Sequence, residues 1–569
     1  MSKEFVFVVM IIFFSLDSSA QFTKYIVRFT DKTPSPFSIN DPSKFLSEKA
    51  IERRAKQHIA IDETDLPIVS AYIDSIRSVE NVTVLDGSKW LNQICIATAD
   101  SLAILKINSF SFVAKTSPVK RLVRSNVAER NQSPEWAQKN KFSKETKGIL
   151  SPASPPVSGN YYSYGNSYAQ VHIHNGEYLH NNGFRGKGML IAIIDAGFYH
   201  YRSLPAFDSV NLNHKIIDTY DFVDNEASVD EDNYHGMMCF SIIAGNIPGE
   251  LVGSCPDANF LLYRSEDVAS ESPVEEQYWI AAAERADSAG ADIISTSLGY
   301  NTFDNPVFDY TYKDMNGHTS MIAKAATLAA KKGMIVLAAA GNEGDDSWHY
   351  ITTPGDADSI ITVGAVDTLG IPAPFSSYGP SSDGRVKPTA ASVGSGTAIS
   401  STSGTIQAGS GTSFATPNLA GLVTCLWQAF PDFTNMQIID AVKKSSSIYN
   451  APDNRIGYGL PDFKKAFDDL TNQRLVRNIA PVLQNNFIKI FPNPFKNNFT
   501  IAVNPPLTSV ATFSLYDAAG KLYFAKKVSV QSGVIQVIHF NQMQLLQKGI
   551  YILKYNDGKN KKSLKLMAQ

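Results

Sequence analysis

Four short segments, far apart in the chain, carry the residue types of nucleophilic acyl chemistry. IAIIDAGF runs as an apolar strand into Asp195 and a glycine turn. A carboxylate at the carboxyl end of a strand can orient an imidazole without taking its proton, although a lone Asp there is as readily a cap or turn residue. HGMMCFSIIAG opens an apolar helical run with His235; a histidine on its own is most often structural. GMIVLAAAGNEG ends a strand in Gly341-Asn342-Glu343-Gly344. A side-chain amide in that position can donate to an oxyanion, an interaction worth about 2.7 to 4 kcal/mol in enzymes that use it, where a lone Asn would otherwise be a turn residue tolerant of left-handed backbone. GTSFATPNLAGLVTCLWQAFP places Ser413 where a helix begins, so its oxygen and its own N–H lie beside the positive end of the helix dipole.

A serine hydroxyl is a poor nucleophile until a base takes its proton and donors stabilise the oxyanion that follows. The four segments therefore make one proposal. Ser413 attacks a scissile carbonyl, His235 accepts its proton and passes it to the leaving amine, Asp195 holds the tautomer, and Asn342 with the Ser413 N–H receives the developing charge. A lipase-like reading of the same chemistry expects a G-x-S-x-G elbow and the chain order Ser, Asp, His; the residues around Ser413 offer neither.

These groups need a scaffold that brings strand ends and helix starts together. GMLIAIID, NFLLYRSED, ADIISTSLG, GMIVLAAAGN and SIITVGAVD are short aliphatic runs bounded by turn residues, the pattern of buried parallel strands. Helical periodicity between them, over Glu275–Ala289 and Thr319–Lys332, predicts a doubly wound, mostly parallel α/β sheet whose site lies beyond the carboxyl ends of its strands. Upstream, strand-like KYIVRF, helical periodicity over Leu66–Val79, a strand over Ser88–Thr98, and the stretch from Leu102 through SFVAKTSPVKRLV describe a small α+β unit ending near Val123. A Ser-, Pro- and Lys-rich stretch follows, ending in SPASPPVSGN, with the composition of a linker open to proteolysis. From Phe487 onward, IKIFPNP, NFTIAV, ATFSLYDAAGKLYF, GVIQVIHF, GIYILKY and KSLKLM alternate as strands and predict an all-β sandwich.

The order Asp, His, Asn, Ser, with IIDAG, HGMM, AAAGNEG and GTSFATP, closely resembles the subtilases, as do STSLG and PFSSYGP. The resemblance implies a secreted serine endopeptidase working through an acyl-enzyme, with Ser297, Leu298 and Gly299 and Ala338, Ala339, Ala340 and Gly341 edging the substrate channel. The peptide would pair there as an added strand. The alternative in another class is an exported, catalytically weak or inactive subtilase-fold binding or scaffold protein. Three positions depart from the family's pattern: Ala196 for the usual Ser or Thr, Met237 for Thr, and Phe414 for Met. The α+β unit resembles a subtilase propeptide. The last domain, with FPNP, LYDAAGK, LQKGIYILKY and KKSLKLM, resembles the sorting domains of type IX secretion in Gram-negative bacteria. The implied organisation is a signal peptide at 1–20, a propeptide at 21–123, a linker and processing region at 124–160, a subtilisin-like peptidase domain at 161–470, a second linker at 471–486 and a sorting sandwich at 487–569. The implied partners are a protein or peptide substrate, the chain's own propeptide and the type IX machinery.

The bulk properties agree with this division. At 569 residues the chain exceeds a single core, since cores stop growing at roughly 250 to 300 residues. A net charge of −3, from 51 basic and 54 acidic side chains, gives no field that would favour nucleic acid or an anionic membrane. Lys3, the apolar run Phe5–Phe14 and Ser18-Ser19-Ala20 read as a signal peptide, and no later stretch approaches spanning length. The expected location is outside the cell or at its surface, reached through the periplasm. Of the four cysteines, Cys239 and Cys255 are the pair expected to join if any does. No cofactor is expected for catalysis. The acidic stretch Asp224–Asn233 offers oxygens suited to structural calcium but no fixed ligand spacing, so no ligand is assigned, and Trp348-His349-Tyr350 is expected to be packing beside the channel.

Overall fold

The computed structural model describes residues 22–121, 149–484, 486–541, 543 and 546–569. The expected signal peptide and most of the first linker lie outside the described residues. The chain divides into two units, Met1–Lys464 and Lys465–Gln569.

The first unit opens with four antiparallel strands, β1 (Phe22–Phe29), β2 (Thr83–Ser88), β3 (Gln93–Ala97) and β4 (Val113–Arg121), in the order β2-β3-β1-β4. The expected strand Ser88–Thr98 is in fact the end of β2, a turn and then β3. Side chains alternate along these strands. Val27, Phe29, Ile94 and Ile96 face a local core with Ile76 and Ile107 from two of the unit's helices, whereas Ile26 and Cys95 point the other way, into a core shared with Tyr278, Ala281 and Ala282 of the helix Val274–Ala289.

That helix belongs to the main layer. Strands β5 (Leu190–Asp195), β6 (Ile216–Asp221), β9 (Asn259–Arg264), β10 (Ile293–Thr296), β11 (Ile335–Ala339), β12 (Ile361–Val366) and β13 (Ala390–Val393) form a parallel sheet in the order β13-β12-β11-β10-β5-β9-β6, and between β6 and β9 the chain makes the short hairpin β7 (Asn246–Ile247) and β8 (Leu251–Val252). Every residue of β5, β10, β11, β12 and β13 is buried, as a sheet covered on both faces requires. The expected helices are present as Val274–Ala289, stopped by left-handed Gly290 (φ +91°), and Met321–Lys331, opened by Ser320, whose side chain accepts the Ala323 N–H. After β5 the chain builds β6 and β9 on one side and then β10 on the other, so a crevice opens above the end of β5, where sites on such sheets form. An antiparallel pair, β14 (Ser395–Ser400) and β15 (Ile406–Ser410), precedes the long helix Thr412–Ala429.

In the second unit, β16 (Ile488–Phe491), β17 (Phe499–Val503) and β20 (Gln536–Phe540) form one antiparallel sheet, and β18 (Ser509–Asp517), β19 (Leu522–Val530), β21 (Gly549–Asn556) and β22 (Lys561–Ala568) form another. Phe499, Ile501, Phe513, Leu515, Leu553 and Leu566 lie in the core of this unit. The stretch 471–486, expected as a linker, is helical as far as Leu483, within the helix Phe463–Leu483.

Candidate active site

Asp195 is the last residue of β5 and is fully buried. Its Oδ1 accepts the Ala196 N–H at 2.7 Å and faces Nδ1 of His235 at 2.5 Å. His235 is the first residue of the wholly buried helix His235–Ala244, and its backbone N–H donates to Oδ1 of Asn233 at 2.8 Å, so Asn233 fixes the turn that delivers the imidazole. Gly236 permits the approach: a Cβ there would lie 2.5 Å from the Gly197 carbonyl oxygen and 2.8 Å from Cβ of Asp195. Asp195 Oδ2 is buried without a hydrogen-bond partner. The neighbouring Ala196 carries no hydroxyl to offer it.

Ser413 is the second residue of the helix Thr412–Ala429 and is 4% exposed. Its Oγ lies 3.3 Å from the Ser297 carbonyl oxygen. Pro417 stands four residues on, inside the helix, and has no N–H to give to the Ser413 carbonyl. That carbonyl is instead taken by Ser297 Oγ at 2.8 Å and by the Cys239 sulfhydryl at 3.3 Å. The ring of Phe414 lies tilted against His235, with centroids 6.1 Å apart.

Asn342 follows β11 through Gly341, whose φ of +107° demands glycine. Its Oδ1 accepts both the N–H (2.8 Å) and the hydroxyl (3.0 Å) of Thr412. With the oxygen end committed, the NH₂ end is the donor that remains. Ser297, Leu298 and Gly299 continue from the end of β10, and Ala338, Ala339, Ala340 and Gly341 run along and past the end of β11. Thr352 donates its N–H to the Ala340 carbonyl, and Thr353 exchanges two backbone hydrogen bonds with Tyr300. Beyond them Trp348 meets Tyr350 edge-on and Tyr350 stacks on Tyr312.

Asn233, Thr412 and Cys239 escaped the sequence reading. Their signals were position alone: an Asx residue two before the histidine, a hydroxyl one before the nucleophile, and a thiol one helical turn after His235. The acidic stretch before His235 is largely exposed, but two of its carboxylates and the neighbouring Asp221 converge on one guanidinium. Asp221, Asp224 and Asp232 all contact Nη1 of Arg264, at 2.5, 2.7 and 2.9 Å. Burial pushes Asp232 up to about 6 against the pull of that guanidinium. The expected pairing of cysteines is also corrected. No disulfide joins Cys239 to Cys255; Cys239 sits under Ser413, and Cys255 lies against Cys425.

With this geometry in view, sequence profiles match three parts of the chain: the Peptidase S8 propeptide domain of Bacteroidota over residues 24–136, the Subtilase family over 186–459 and the Secretion system C-terminal sorting domain over 489–569. Among curated proteins, Serine protease AprX of Bacillus subtilis (strain 168) is 28% identical over 322 residues, covering 52% of this chain and 67% of that one. Subtilisin NAT of Bacillus subtilis subsp. natto is 30% identical over 293 residues, covering 51% and 68%. Thermitase of Thermoactinomyces vulgaris is 31% identical over 246 residues, covering 42% and 75%. The sorting domain makes the chain an exported one, secreted or held at the cell surface, and no helix among the described residues is long and apolar enough to cross a membrane.

Proposed function

The chain belongs to the subtilase family of serine proteases, and from that premise we propose that it hydrolyses peptide bonds through an acyl-enzyme on Ser413. The contact that carries this reading is the 2.5 Å approach of His235 Nδ1 to Asp195 Oδ1. It leaves Nε2 as the basic nitrogen and gives the imidazolium formed during reaction a buried counter-charge. Ser413 attacks the carbonyl carbon, its proton passes to His235, and the oxyanion collects donors from the Asn342 amide and the Ser413 N–H at the helix start. The carbonyl reforms as the amine leaves with the proton from His235, and water repeats the sequence to release the acid. This route calls on no cofactor. An extended substrate would pair as an added strand along Ser297 to Gly299, with Ala338 to Gly341 bordering the same channel. Ser413→Ala should lose peptide hydrolysis on the order of a million-fold while keeping the fold. A fluorophosphonate probe should label the mature wild type and not the variant; equal labelling of both removes Ser413 from the reaction.

A further inference from the structure

We propose that Cys255 and Cys425 are joined by a disulfide in the exported protein, clamping the helix that carries the nucleophile to the one that carries the base. The two sulfurs lie 3.5 Å apart, fully buried, across 170 residues of sequence. Cys425 sits on the long helix Thr412–Ala429, and Cys255 ends the strap Gly253-Ser254-Cys255 that leaves β8. Strap and helix are pressed together, since a Cβ on Gly421 would fall 2.0 Å from Ser254 Oγ. On its far side the Cys255 sulfur meets Gly186, where a Cβ would lie 2.3 Å away, so it has no room to turn from its partner. The strap is also bound to the end of the base helix, where Ser254 N–H donates to the Ile242 carbonyl (2.9 Å) and Cys255 N–H to that of Ile243 (2.8 Å). A bond at this point therefore restrains the two catalytic helices against each other. Neither cysteine touches the substrate edges.

The oxidant is a disulfide-bearing oxidoreductase, or a small disulfide, met during export. The Cys425 thiolate attacks one sulfur of the oxidant's disulfide and releases its other sulfur as a thiol. Cys255 then gives up its proton and attacks the Cys425 sulfur, breaking the mixed disulfide. Two protons and two electrons leave the protein, and the oxidant's disulfide becomes two thiols. The exchange precedes the seating of the helix, and reductant reaches the bond again when the protein unfolds.

The test uses the secreted wild-type protein, acid-quenched, denatured in N-ethylmaleimide, then reduced, treated with iodoacetamide and mapped. Cys255 and Cys425 should carry only the second label and Cys239 only the first. First label on both Cys255 and Cys425 in most molecules overturns the proposal, as does the second label on Cys239. Thermal unfolding gives an independent reading: dithiothreitol should lower the wild-type Tm by about 5 to 15 °C and leave that of Cys255→Ala unchanged. A wild-type Tm indifferent to dithiothreitol also overturns the bond.

Discussion

Thr412 holds Asn342 by its oxygen, and this favours the oxyanion donor over the turn residue among the two roles open to an asparagine at the end of a strand. A turn residue would spend its amide on local backbone; here Oδ1 reaches across to the nucleophile helix, 70 residues away. Asn342→Leu should therefore cut kcat by about 100 to 1,000-fold with KM little changed. Unchanged turnover in steady-state assays would return Asn342 to a turn. The residue beside Asp195 makes a second case. A buried carboxylate oxygen without a donor costs stability, and a hydroxyl set against it recovers about 1 kcal/mol. Ala196→Ser should raise Tm by a few degrees through Asp195 Oδ2. A calorimetric scan showing no rise means that the new hydroxyl does not reach.

The helix Thr412–Ala429 was readable as an element, from its apolar run and the glycine before it, but its working feature was not. Pro417 is visible in the sequence as an irregularity inside a helix; that it releases the Ser413 carbonyl becomes clear only when Ser297 and Cys239 are seen occupying it. The same holds for the base helix, where Cys239 follows His235 by one turn and its partner comes from 174 residues away. Periodicity reports the face of a helix, not what the face meets. Pro417→Ala restores an N–H that competes for the carbonyl and draws Ser413 into regular helical register. The expected result is a fall in kcat of about 10- to 100-fold from misplacement of the nucleophile, with the far-ultraviolet dichroism unchanged. Full activity in the variant would mean that the Ser297 and Cys239 contacts hold the carbonyl unaided.

At the scale of the molecule, the strand and helix alternation and the order of the four motifs were enough to assign the sheet and its crevice, whereas the seat of the propeptide was illegible. On the helix Val274–Ala289, Glu284 and Asp287 are charged residues in the sequence, yet both are buried because the propeptide covers them. Asp287 pairs with both Arg53 and Arg54, and Asp65 with Arg54 and Lys332. Glu284 accepts from Ser88 Oγ and from the Lys89 and Trp90 N–H groups, while Asp86 of the propeptide meets Gln277. Burial pushes Glu284 and Asp86 each up to about 7 in the docked state. Their ordinary values, near 4, return when the interface opens. Docking thus takes up protons: the favourable contribution is complete below about pH 4 and is lost as pH rises through 7. Asp267, held down to about 2 beside Lys120 despite its burial, is already ionised across that window and adds no slope. Lys24, lowered chiefly by burial, acts only on the alkaline side. Inhibition of the mature enzyme by added propeptide should therefore weaken at least about tenfold between pH 5 and pH 7.5, and Glu284→Gln should flatten the profile. An inhibition constant that tightens with rising pH over this range would show that the salt bridges of Asp287, and not the buried carboxyls, govern release.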